Sequence, residues 1–301
     1  MTTFKHEVQN FRDHMEDRHI VHLSEKYDIF AVYDGHGGFV VAEFLKNILH
    51  MRLLKIFEEH VEIEKNIEAL YKEIDKLLNK IVFLCGSTAV VAIHDKPIQK
   101  LYFINLGDSR AILVHDDKCI HSTQDHKPTN KEEKIRIENN QGKIIDGRVN
   151  GYLSISRVFG DSILKKNMIV SNVPTITTYD LMENYEYTIV VASDGLWDKL
   201  SNDDVASIIK NTWNENIARY LINCATIKGS NDNITVIVHK FISVFPFLHM
   251  DDDISHDKIY ESDEMKRMEF LKDKDDEFGK FSELKGFGEF DEFCDSTKNL
   301  L

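Results

Sequence analysis

Five aspartates in this 301-residue chain stand where an apolar run meets a turn. They are Asp34 in VYDGHGG, Asp108 in INLGDSR, Asp194 and Asp198 in VVASDGLWD, and Asp232 in GSNDNITVIV. An aspartate beside glycine or asparagine is an ordinary turn former, so one alone says only that the chain reverses. Five of them flanking strand-like runs say more. Strand ends are rigid, and turns there let side chains from distant parts of the sequence converge on one point. Grouped carboxylates repel one another and raise each other's pKa unless a cation sits among them. With few His or Cys neighbours, such a cluster suits a hard cation with oxygen ligands, Mg²⁺ or Mn²⁺, over Zn²⁺. Glu16-Asp17 in FRDHMED and Asp125 in TQDHKP are further acidic candidates.

The periodicity around these points predicts the elements that carry them. DIFAVY (28–33) reads as a buried strand, and Val40, Val41, Phe44, Leu45, Ile48 and Leu49 have the spacing of a helix over 40–57. Ile63, Ile67, Leu70, Ile74, Leu77 and Ile81 form one apolar stripe, read as core packing of a second helix. Short β-rich runs follow at 87–93, 101–106, 111–115, 187–192 and 234–241. Thr129–Asn140 reads as a helix capped by Thr129 or Asn130, with Gly142 just past its end. Ser201-Asn-Asp-Asp204 reads as the cap of a helix through Asn211, and Ile217, Leu221, Cys224 and Ala225 mark another. Strands in runs with helices in pairs suggest antiparallel sheets covered by helices, not alternating βαβ units.

Charge divides the chain unevenly. The total is −14, but residues 251–301 hold 17 acidic and 8 basic side chains, leaving 34 and 29 in the first 250. The domain expectation is therefore a folded unit over 1–247 and an acidic, disordered tail over 248–301. The alternative for the tail is docking through Phe278, Phe281, Phe287, Phe290 and Phe293. Acidity argues against nucleic acid or an anionic membrane as a partner. The segment MTTFKHEVQN has no apolar signal region, and Thr2 stands where myristoylation needs glycine. Cys85, Cys119, Cys224 and Cys294 form no CxxC pair and read as free buried thiols. The expectation is a monomer in the cytoplasm or nucleus.

What is missing narrows the reaction. Six residues after Cys85 stands Val91, where a cysteine phosphatase needs arginine. GxSxG, Walker A and HExxH patterns are also lacking. Without a protein nucleophile, water activated by metal is the natural attacking group, and phosphate monoesters are a fitting substrate for it.

Taken in order, RDHMED from Arg12, AVYDGHGG, CGSTAVV, NLGDSR, TQDHKP, RVNGYLSISRVFGD, ASDGLWD and GSNDNITVIV resemble the metal-dependent type 2C serine/threonine protein phosphatases over roughly residues 8–241. The resemblance implies an α+β fold, a four-layer α/β/β/α sandwich of two antiparallel β-sheets flanked by helix pairs. It implies hydrolysis of phosphoserine or phosphothreonine in protein substrates by a metal-bound hydroxide in a two-metal centre of Mg²⁺ or Mn²⁺, with a third metal held weakly. Asp34 would bridge both metals with the Gly35 carbonyl beside it. Asp194 and Asp232 would hold the first metal, and Glu16 and Asp17 would serve the second. Asp125 and Asp198 match the third-metal positions, His36 the general acid and Arg12 the phosphate-binding arginine.

The roles make chemical sense: guanidinium forks fit two phosphate oxygens, and histidine gives up a proton near neutral pH. Asp108 is read as scaffolding, and Arg148, Ser156 and Arg157 as support for the fold. Two departures from the family pattern stand out. The segment from Asp161 to Pro174 is short beside the usual flap that borders the substrate cleft. With only eleven residues before Arg12, the first sheet is expected to lack a full edge strand. A non-catalytic phosphoprotein binder and a hydrolase for small phosphate esters remain as alternatives.

Overall fold

Tyr27–Tyr33 is buried at every residue, and its side chains alternate between two different cores. That is why IFAVY (29–33) is apolar throughout: its antiparallel sheet is covered on both faces, so neither face alternates to solvent. The computed structural model describes residues 1–80 and 82–245. Ile81, Cys294, the five tail phenylalanines and the expected tail lie outside the described residues.

The first half of the chain runs β1 (Thr2–Val8), β2 (Arg18–Leu23), β3 (Tyr27–Tyr33), β4 (Gly35–His36), α1 (Val40–Glu59) and α2 (Ile63–Leu78). It continues with β5 (Gly86–Ser87), β6 (Ala89–Asp95), β7 (Lys100–Leu106), β8 (Arg110–His115), β9 (Lys118–Ser122) and α3 (Lys131–Asn139). The short strands β10 (Ile144–Ile145), β11 (Arg148–Val149) and β12 (Phe159–Gly160) come next, then β13 (Thr175–Asp180) and β14 (Glu186–Ala192). The last elements are α4 (Asp194–Trp197), α5 (Asn202–Thr212), α6 (Ile217–Ile227) and β15 (Ile234–Ile242).

Two five-stranded sheets are entirely antiparallel, in the orders β1-β15-β14-β8-β9 and β13-β7-β6-β3-β2. Phe30, Phe103, Leu113, Tyr187, Ile189 and Phe241 fill the space between them. Helices α1 and α2 cover the outer face of the second sheet through Leu45, Leu49, Ile67 and Ile74. Helices α4, α5 and α6 cover the first through Leu196, Val205, Ile209 and Leu221. This is the expected α/β/β/α sandwich. A satellite core of Ile137, Val149, Ile155, Val158 and Val170 joins α3 to the segment that follows it.

The edge-strand expectation is wrong. β1 pairs with β15 from Thr2↔Lys240 to Val8↔Ile234. Seven extended residues reach about 23 Å, so a short lead-in suffices for a full strand. Phe4 and Val8 fix its register by packing against the helix-facing core. The second helix is broader than its stripe, since Tyr71, Asp75 and Leu78 are buried and Leu77 only partly. Ser201 and Asp204 form the expected capping box on α5. Asn130 precedes α3, but its side chain bonds the Asp125 carbonyl instead of capping the helix. The cysteines are less uniform than expected: none of the three described forms a disulfide, but Cys85 is buried while Cys119 and Cys224 are partly exposed. Among the described residues no helix is long and apolar enough to cross a membrane.

Ile67 is fully buried, while Lys72 on the same helix is exposed. Ile67→Ala is expected to lower unfolding free energy by about 2–5 kcal/mol in urea titrations. Lys72→Ala should stay within about 0.5 kcal/mol.

Candidate active site

Turns at one common end of the two sheets carry the acidic candidates. β3 ends at Tyr33 and delivers Asp34, while β14 ends at Ala192 and delivers Asp194 into the first turn of α4. Asp232 directly precedes the Asn233 that leads into β15, Asp17 directly precedes β2, and Asp108 sits between β7 and β8. Antiparallel pairing of Arg18 with Tyr33, and of Ala192 with both Arg110 and Val236, brings these ends to the same edge.

The inner carboxylates are short of solvent and of positive charge. Asp17 is 1% exposed; Ser193 and Thr235 each donate to its Oδ2 at 2.8 Å, and its Oδ1 has no partner among the described residues. Burial, against those two hydrogen bonds, pushes its pKa up to about 7, with Asp194 and Asp232 adding repulsion. Asp194 is raised to about 6 by burial and by Asp198 and Asp232. Asp34 is held well above the usual carboxylate range by desolvation and then by Asp17, Asp194, Asp108 and Asp232. Asp108 is 4% exposed and is raised in the same way, by burial first and Asp194 second. It therefore belongs electrostatically to the cluster and is more than scaffolding.

The outer carboxylates are held by groups of the chain itself. Asp232 Oδ2 accepts from Arg12 at 2.6 Å and its Oδ1 from the Asn233 amide at 2.8 Å. Arg110 grips both oxygens of Asp125 at 2.8 and 2.7 Å, bonds Asn202, and lies 5.1 Å above the Trp197 ring. Lys127 stands 2.9 Å from Asp198 and 3.8 Å from Asp108. Glu16 Oε1 accepts from the Gly38 amide at 2.6 Å. Among the described residues, no three acidic, histidine or cysteine side chains close around a common point. The inner donor set nevertheless fits a hard cation. Its oxygens are buried, one is unpartnered, and mutual repulsion is what added positive charge would relieve.

Gly35 has to be glycine here, because a Cβ would lie 2.7 Å from the Glu16 carbonyl oxygen. Arg12 is more than half exposed and its ion-pair partner is Asp232, not its sequence neighbours Asp13 or Glu16. His36 Nε2 lies 2.6 Å from Asp161 Oδ2. Ser156 and Arg157 bind Glu133, whose pKa burial alone would raise but which Arg157, Arg136 and Ser156 hold down at about 2. Arg148 is exposed in β11, and its side chain donates to the nearby Tyr152 carbonyl.

Sequence reading missed several supports. Asn233 clamps the loop before β2, accepting from the Glu16 amide and donating to the carbonyls of Gln9 and His14. Ser193, Thr235, Arg110, Lys127 and Asp161 were also missed as partners of the acidic and histidine candidates. All of them stand within or beside the quoted blocks, where they read as turn or strand residues.

A family model described as protein phosphatase 2C matches residues 2–234. Human protein phosphatase 1B is 35% identical over 268 residues, covering 77% of this chain and 55% of that protein. The chain thus spans about half the length of that relative. Two solved structures share the fold. One is a serine-threonine phosphatase 2C from Toxoplasma gondii, with TM-score 0.65 and 24% identity over 80% of this chain and 94% of that one. The other is described as a C. elegans sex determining protein, with TM-score 0.71 and 23% identity over 79% of this chain and 64% of that one.

Two results are expected of the metal-free protein. Asp34→Asn takes one titratable carboxyl out of the cluster, so at a pH high enough to ionise it in the wild type the variant should melt roughly 2–5 °C higher in EDTA. It should also shrink the further rise that Mn²⁺ gives the wild type; a lower melting temperature in EDTA would contradict the repulsion. The second concerns pH. Asp17 at about 7 and Asp194 at about 6 lie above their ordinary 3.8, so the folded state binds protons first and gains stability as pH falls from about 8 through 6. Burial holds His94 at about 4 and His126 and His239 at about 3, below their ordinary 6.5. There the unfolded state binds protons first, and stability is lost as pH falls from about 6.5 towards 4. Thermal scans in EDTA should therefore show an optimum at about pH 6–7. A steady rise to pH 8 would be the contrary result.

Proposed function

The chain belongs to the protein phosphatase 2C family, and from that membership we propose that it hydrolyses phosphoserine and phosphothreonine in proteins, with Mg²⁺ or Mn²⁺ held at the carboxylate cluster. The observation that carries this reading is the convergence of Asp17, Asp34, Asp108 and Asp194 in one desolvated corner, with Arg12 beside Asp232 and His36 one residue beyond Gly35. Asp34, with the Gly35 carbonyl, would bridge two ions; Asp194 and Asp232 would serve the first, and Glu16 and Asp17 the second. A third ion at Asp125 and Asp198 would have to compete with Arg110 and Lys127, which supports weak binding there. Bound metal supplies a water acidic enough to attack phosphorus and offsets charge on the phosphate oxygens.

The rest is the work of the chain's own residues. Arg12 sits at the mouth of the site with an exposed guanidinium. Its fork of donors suits two phosphate oxygens, which would take over from Asp232 and free that carboxylate. His36 is partly exposed and donates a proton to the departing serine or threonine oxygen. Buried strands on both sides of the cluster hold these groups with little reorganisation. The folded unit over 1–247 is proposed as the catalytic domain, acting as a monomer on phosphoproteins in the cytoplasm or nucleus.

Phosphopeptide turnover should require Mn²⁺ or Mg²⁺ and vanish in EDTA and in Asp34→Asn. Arg12→Ala should lower kcat/KM by about 10–150-fold, the equivalent of a charge-assisted hydrogen bond. Turnover that persists in EDTA would overturn the reading.

A further inference from the structure

His36 is not positioned by the acidic cluster but by a separate piece of the fold. Strands β4, β5 and β12 form a small three-stranded sheet in which His36 and Gly160 both pair with Gly86. Asp161, the next residue, is 3% exposed, and its Oδ2 lies 2.6 Å from His36 Nε2. Gly86 makes that contact possible. A Cβ on it would lie 2.5 Å from Asp161 Oδ2 and 2.7 Å from both Cε1 and Nε2 of His36.

The carboxylate is held firmly. The Asp161 amide donates to the Cys85 carbonyl at 3.0 Å, and its backbone takes a left-handed conformation with φ 48°. Non-glycine residues adopt that region only under local constraint. Asp75 on α2, 1% exposed, supplies the constraint from behind. It accepts from the Gly160 amide at 3.0 Å, from Asn172 Nδ2 at 2.8 Å and from the buried Lys165 ammonium. The start and end of the short flap segment are thus tied to one buried residue of the helical layer.

We propose that Asp161 is a positioning residue for His36. It accepts the Nε2 proton, fixes the tautomer and ring orientation, and leaves Nδ1 as the nitrogen that serves the leaving group. The inference rests on the phosphatase reading. When a phosphoserine ester is hydrolysed, the O–P bond breaks and its electron pair stays on the serine oxygen. A water oxygen bonds to phosphorus, the serine oxygen takes a proton from the Nδ1 of the His36 imidazolium, and the proton lost by the water restores the imidazolium through solvent. Serine is a poor leaving group and needs that proton, whereas p-nitrophenolate leaves without one.

The test compares full-length wild type, Asp161→Asn, His36→Gln and the double variant, with Mn²⁺, on a phosphoserine peptide and on p-nitrophenyl phosphate. Metal-dependent turnover of both substrates by the wild type checks the phosphatase reading separately. Asp161→Asn should lower kcat on the peptide by about 10–100-fold and on p-nitrophenyl phosphate by less than about threefold. In the His36→Gln background it should cost almost nothing further, because it acts through that ring. Equal slowing of both substrates, or a full additional loss in the double variant, would overturn the proposal. Should Asp161→Asn fold poorly, Asp161→Glu, which keeps an acceptor, is expected to restore the peptide-to-nitrophenyl ratio at least partly; a ratio unchanged from wild type in every folded variant also refutes it.

Discussion

Mutual repulsion among Asp17, Asp34, Asp108 and Asp194 is the constraint on which the arrangement depends. All four are raised above the usual carboxylate range by desolvation, and each is pushed further by at least one of the others or by Asp232. Carboxylates that were free to move would separate into water. Here they cannot, because each stands at the end of a strand whose neighbours are locked in register across a sheet covered on both faces. The apolar sandwich stabilises the chain enough to keep an unfavourable charge cluster in place. The same repulsion makes cation binding favourable, which is what the proposed activity would draw on.

Around this corner stands a second ring of charge, and its sign is opposite. Arg12, Arg110 and Lys127 each face an outer carboxylate. The three pairs differ in kind. Arg110 is gripped on several sides, by both oxygens of Asp125, by Asn202 and by the Trp197 ring, so it is a fixed part of the wall. Arg12 is exposed and paired with Asp232, so its guanidinium is the least enclosed of the three. Lys127 lies between these extremes, near both Asp108 and Asp198. Burial thus separates a guanidinium that stabilises structure from one able to bind an anion.

The sequence made the central strands legible, and with them the positions of Asp34, Asp194 and Asp232, because doubly covered strands are continuous apolar runs. The edge strands were harder. TTFKHEV, RHIVHL, KCIHS and TITTYD mix charged and polar residues, since one side of each edge has no neighbouring strand. Pairwise contacts were harder still. Asp161 lies 125 positions from His36, and nothing in RVFGD distinguishes a histidine partner from a turn residue. Asp108 was read as scaffolding because its turn looked sufficient to explain it; only the three-dimensional neighbourhood places it beside Asp194. Asp75 gave no signal, as an aspartate within an amphipathic stripe reads as solvent-facing.

That buried aspartate bears on the shortness of the flap segment. The segment adds Val170, with Leu164 and Ile169 beside it, to the small core shared with α3. Its residues 162–168 form a broken 3-10 turn with non-helical angles at Lys166 and Asn167 and no fully buried apolar side chain. Its ends add polar ties to that packing. On one side Glu133 gathers Arg136, Arg157 and Ser156, and Arg157 also holds the Val173 carbonyl. On the other, Asp75 gathers Gly160, Lys165 and Asn172. Two buried carboxylates from different helices therefore reinforce that small core at both ends of the segment. Removing one partner of such a buried set leaves an uncompensated charge, so the anchors are stringent. Asp161 lies between them, which makes the geometry at His36 a consequence of helix packing more than 80 residues away in sequence.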